Sequence, residues 1–96
     1  MDYRKLVEAI PVIKREPLSG KLVDLLLTSK NDEKMLSPLA NTILHHWQND
    51  ILISESGLTA LLEAAVLLEP QKTQETFTQL EMPDFAEQLK EVVKQP

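Results

Sequence analysis

The apolar segment that precedes Pro70 constrains the fold of this chain more than any other feature. From Leu58 to Leu68, Thr59 and Glu63 are the only polar residues. Leu and Ala favour helix, and a proline breaks the helix that runs into it. A helix that is apolar on nearly every side either lies in the middle of a bundle or is covered by a partner. The sequence therefore predicts a buried helix here, and leaves open what buries it.

The rest of the chain also has helical patterns and few strand-forming residues. Ser37 followed by Pro38 has the chemistry of an N-cap and first helical position. We predict further helices over residues 2–10, 19–28 with Ser19 as N-cap, from 37 onward, 71–81, and from Asp84, whose spacing to Glu87 resembles a capping box. The predicted fold is all-α: one domain over residues 1–96, a compact bundle or short orthogonal array of five to six helices.

A short internal likeness suggests one variant of this fold. Leu18–Leu26 and Glu55–Glu63 both place Ser-Gly before a run of leucines, about 37 residues apart. Helix pairs of that period occur in α-solenoids. Two HEAT-like helix pairs are therefore an alternative arrangement of the same helices.

Composition excludes several classes of site. The chain contains no Cys, which rules out disulfides, zinc–thiolate sites and iron–sulfur clusters. Charges of both signs near the N-terminus are unlike a signal or transit peptide, and no apolar run is long enough to cross a membrane. We expect a cytoplasmic protein with no cofactor and no membrane contact.

Charge is divided unevenly along the chain. Residues 1–48 carry seven basic and six acidic residues, a net of +1, whereas residues 49–96 carry three basic and nine acidic residues, a net of −6. An acidic half repels nucleic acid and anionic lipid. Nucleic acid is therefore an unfavoured partner.

The adjacent histidines do not form a metal-binding pair. His45 and His46 lie about 100° apart around a helix, so one ion cannot easily take both imidazoles. The serines stand at helix starts, where capping explains them without a nucleophilic role. We predict no catalytic and no metal-binding residues, and keep an enzyme or metal protein that uses His46 as the third hypothesis.

A small helix-turn-helix-like transcriptional regulator is the second hypothesis. The second and third predicted helices are joined by a polar turn, and Asn41, Gln48 and Asn49 have side chains that can bind adenine edges. However, residues 37–53 contain no Lys or Arg, so phosphate contacts would be missing.

The first hypothesis is a protein–protein interaction or oligomeric scaffold module, such as a small subunit of a larger assembly. Apolar residues are abundant for six short helices, and large apolar side chains form the centres of protein interfaces. The partner would be another protein or a second copy of the chain. The predicted contact residues are Trp47, Ile51, Ile53, Leu58 and His45.

Overall fold

The computed structural model describes residues 3–29, 36–46 and 54–94. In these ranges the chain forms six α-helices and no strand, which confirms the predicted all-α fold. They are α1 (Tyr3–Ala9), α2 (Val12–Thr28), α3 (Pro38–His46), α4 (Glu55–Leu68), α5 (Pro70–Gln79) and α6 (Pro83–Lys94). Within the same ranges, none of the helices combines the length and apolar character that a membrane crossing requires.

Helix α4 lies at the centre of the bundle and packs against α1, α2, α3 and α5. Eight of its residues are buried, among them Leu58, Leu61 and Leu62, which are almost fully inaccessible. Burying one leucine side chain stabilises a fold by about 1.5–3 kcal/mol. Glu63 and Leu67 are exposed. The chain therefore covers α4 itself, which answers the question that the sequence left open.

The main correction concerns the start of α2. The sequence predicted a helix from Ser19, but α2 begins seven residues earlier at Val12 and contains Pro17. Ser19 is not an N-cap: it lies buried in mid-helix, and its Oγ donates a hydrogen bond to the carbonyl oxygen of Arg15 at 2.8 Å. An interior proline costs a helix about 3 kcal/mol. The buried side chains of α2 offset that cost: Leu18, Leu22, Val23 and Leu26.

This correction also removes the basis for two HEAT-like helix pairs. Ser19-Gly20 lies in the interior of α2, whereas Ser56-Gly57 belongs to the first turn of α4. The two segments thus occupy different positions in their helices, and these helices pack against each other at the centre of one bundle. The likeness is one of sequence alone.

Most of the predicted helix starts agree with the structure to within one or two residues. The Oγ of Ser37 accepts a hydrogen bond from the amide of Ala40 at 3.2 Å, as an N-cap should. Ser54 caps α4 in the same way, through the amide of Gly57 at 3.1 Å. Helix α6 begins at Pro83, one residue before the predicted cap Asp84, which instead lies in the first turn.

Arg15 joins three helices at one end of the bundle. From α2, its guanidinium donates to the carbonyl oxygens of Ile10 at 3.1 Å and Glu8 at 3.3 Å, at the end of α1. It also forms an ion pair with Glu55, in the first turn of α4, at 3.2 Å. A cation at the C-terminus of one helix and an anion at the N-terminus of another both suit the helix dipoles.

The turn between α5 and α6 forms a Schellman motif around a residue in the left-handed region. The amide of Met82 donates to the carbonyl oxygen of Phe77 at 2.9 Å, and that of Glu81 to the carbonyl oxygen of Thr78 at 3.1 Å. Glu81 has φ 59°, where glycine is usual. Met82 and Phe77 are both buried, and the Phe77 ring stacks on that of Phe85 with centroids 6.5 Å apart. The packing of α6 on α5 thus holds Glu81 in a strained conformation.

Replacing Arg15 should cost more stability than replacing its acidic partner. Arg15→Met removes the carbonyl bonds and the ion pair and should cost about 2 kcal/mol, whereas Glu55→Gln should cost about 0.5 kcal/mol because that pair is partly exposed. Urea denaturation of both variants measures the difference. Equal losses would show that Arg15 acts through the ion pair alone.

Replacing Glu81 by glycine should stabilise the protein by about 1 kcal/mol, because glycine adopts a positive φ without steric cost. The midpoint of urea denaturation should rise. Glu75→Gly, at an exposed position in the interior of α5, is the matched control and should destabilise by about 1 kcal/mol. A Glu81→Gly protein that is no more stable than the parent would refute the strain.

Candidate interaction surface

The structure describes two of the five predicted contact residues. Leu58 is 1 % exposed and belongs to the core, so its role is packing and not partner contact; that prediction is wrong. Apolar character singled it out, but it lies on a covered side of α4. The side chain of His45 is exposed near the end of α3. Trp47, Ile51 and Ile53 lie outside the described residues.

Nothing in the described part of the chain supports the hypothesis of an enzyme or metal protein that uses His46. The side chain of His46 is outside what the structure describes. Among the described residues, no group of three or more His, Asp or Glu side chains is placed to hold a metal ion. Burial raises the pKa of the Tyr3 phenol above its ordinary value of 10.0, and the carboxylate of Glu63 raises it further. Tyr3 therefore stays protonated near neutral pH and is no ready base.

Two open grooves flank α5. One, of about 490 Å³, lies between α5 and α6, and is lined by Gln71, Gln74, Thr78, Glu87 and Lys90 among others. The other, of about 360 Å³, lies between α2 and α5, where Lys21 and Asp24 stand with Lys72 and Glu75. Both grooves are shallow and of mixed charge. Neither has the enclosed apolar lining with a few convergent polar groups that small-molecule sites have.

Large apolar side chains are exposed at a few places on the described surface. The two most exposed are neighbours at the start of α2: Val12 at 76 % and Ile13 at 83 %. Pro11, just before them, is also exposed. We call these three residues the apolar corner. The other exposed large apolar side chains are Leu27 on α2, Leu39 on α3 and Leu67 on α4.

The apolar corner is held in place by the bonds around it. The Nζ of Lys14 donates to the carbonyl oxygen of Leu80 at 3.0 Å, which joins the start of α2 to the turn between α5 and α6. Arg15 fixes the same turn of α2 to the end of α1 and the start of α4. Since both neighbouring cations are engaged inside the chain, the corner projects from a braced part of the fold.

Beyond this corner, one face of α2 points towards solvent along the length of the helix. Ile13, Pro17, Gly20, Asp24 and Leu27 follow one another at alternating intervals of four and three residues, and these intervals keep them on one face. All but the half-buried Gly20 are exposed. We call these five residues the outward stripe of α2. It lies opposite Leu18, Leu22 and Leu26, which are buried.

The sequence held the signal for this surface, but the predicted helix boundary hid it. A helix that begins at Ser19 leaves Val12 and Ile13 in a connection, where they have no defined face. Extending the helix through Pro17 puts Ile13 on the same face as Leu27, four turns later.

No family model, curated protein or solved structure matches this chain. A function can therefore be inferred only from the chain's own residues, chiefly those of the apolar corner and the outward stripe of α2.

Proposed function

We propose that this chain is a protein–protein interaction module that acts as an oligomeric scaffold, with the apolar corner as an anchor of its contact surface. The observation that carries the proposal is the exposure of Val12 and Ile13 at the start of α2. A fold that buries eight of the fourteen residues of α4 leaves two adjacent β-branched side chains largely exposed to water. Apolar anchors of this kind form the centres of interfaces.

The bracing around the corner supports the same proposal. Lys14 and Arg15 tie the first turn of α2 to three other elements, so the corner is ordered before a partner arrives. A preorganised surface loses less conformational entropy on binding than a mobile one. A stable interface covers roughly 800 Å² on each partner, which requires more than the corner itself. The rest of the contact would come from neighbouring parts of α2.

The proposal assigns the chain no catalytic step, no cofactor and no nucleic-acid partner. The helix-turn-helix hypothesis gains no support from the surface, because α3 as described, Pro38–His46, offers no Lys or Arg for phosphate. A cytoplasmic location remains part of the proposal, in keeping with the absence of cysteine.

Removing the apolar corner should abolish self-association and leave the fold intact. We expect the mass of the parent protein, measured by sedimentation equilibrium from micromolar to millimolar concentration, to rise above that of a monomer. Val12→Ser with Ile13→Ser should remain monomeric, while its stability changes by no more than about 0.5 kcal/mol because both side chains are exposed.

Leu67→Ser is the matched control, since Leu67 is 59 % exposed but lies on α4. It should associate as the parent does. A parent protein that is monomeric throughout this range would contradict the proposal, as would a corner variant that associates unchanged.

A further inference from the structure

The outward stripe of α2 has the spacing of a helix–helix seam. The sequence positions 13, 17, 20, 24 and 27 repeat the alternation of three and four residues by which two helices pack along their length. Its ends are the large apolar Ile13 and Leu27, 83 % and 57 % exposed, and the residue at its centre is Gly20. A glycine there lets a second helix approach closely.

The charges beside the stripe show which partner suits it. Glu16 lies on one side of the stripe and Lys21 on the other, and both are exposed. Five residues apart, they do not face each other within one helix. In a parallel pair of helices, however, the residue on one side of the seam faces the residue five positions later on the partner. Glu16 of each copy would then meet Lys21 of the other.

We infer that the partner is a second copy of this chain, seated along the outward stripe of α2 with the two helices parallel and related by a two-fold axis. The inference rests on the proposed function, because it extends the contact along α2 from Ile13, the residue that the stripe shares with the apolar corner. A two-fold interface must be self-complementary. Here the complementarity consists of equivalent apolar residues opposite each other and two Glu16–Lys21 pairs.

The antiparallel register that pairs the two apolar ends of the stripe is disfavoured by charge. In an antiparallel pair centred on Gly20, Ile13 would face Leu27 of the other copy. The same register places Glu16 near Asp24 of the other copy, twice over, and like charges at an interface are costly. The parallel pair has one such cost, since its two Asp24 residues oppose each other across the seam. We therefore expect weak association, which Asp24→Asn should strengthen.

Reversing either flanking charge should weaken the dimer, and reversing both should restore it. By sedimentation equilibrium at low salt, Glu16→Lys and Lys21→Glu should each raise the dissociation constant about tenfold, because each replaces two attractions with two repulsions. The double variant should return to within about threefold of the parent. Glu91→Lys, an exposed reversal on α6, is the control for net charge and should not weaken the dimer.

Because the chain has no cysteine, single cysteines report which residues meet. In the parallel pair, Leu27→Cys lies opposite its own copy, within the 4.4–6.8 Å that separates the Cα atoms of a disulfide. Mild oxidation should therefore cross-link it rapidly, and Leu67→Cys slowly. Cross-linking of Leu27→Cys to Ile13→Cys in a mixture, but not to itself, would show an antiparallel pair and overturn the inference.

The outcomes separate the inference from the proposed function. A dimer that depends on Val12 and Ile13 but ignores the charge reversals and does not cross-link at Leu27→Cys would refute the α2 pairing alone. A parent protein that stays monomeric would refute both. Rescue in the double reversal cannot arise from a general loss of folding, so it would support the pairing directly.

Discussion

The burial of α4 is the constraint on which the rest of this structure depends. A helix with so little polar surface has to be enclosed, and the chain encloses it with α1, α2, α3 and α5. Helix α6 packs chiefly on α5 and also contacts α1. Since this chain supplies the cover, the apolar content of α4 is no argument for a partner. Only the apolar side chains that the bundle leaves exposed, such as Val12 and Ile13, favour association with a partner.

The end of the bundle where α2 begins is held by polar contacts and carries the proposed contact surface. Arg15 and Lys14 connect the first turn of α2 to α1, α4 and the turn between α5 and α6. Val12 and Ile13 add little packing to this helix start, because both side chains are largely exposed. The side chains of Lys14 and Arg15 thus fix the start of α2 to the bundle, while those of Val12 and Ile13 stay exposed to solvent. An apolar surface on a rigid helix start would lose little conformational entropy on binding a partner.

The sequence predicted the fold class, the burial of α4 and the cap at Ser37, because helical periodicity and capping are local signals. It failed at Ser19 and Pro17, since the burial of Leu18 and Leu22 outweighs a local preference to stop the helix. It failed at Leu58 because composition shows that a residue is apolar but not which side of its helix is covered. The exposed face of α2 that we propose as a contact surface depends on that one helix boundary, so local patterns in the sequence did not reveal it.

Amide hydrogen exchange at two protein concentrations tests the central claim, that α4 is buried by its own chain and association occurs elsewhere. The account predicts slow exchange throughout the interior of α4 that does not change on dilution, because its cover is intramolecular. Loss of protection on dilution should be confined to α2 and its immediate neighbours. If the protection of α4 fell on dilution, its cover would come from a partner and the account would be wrong.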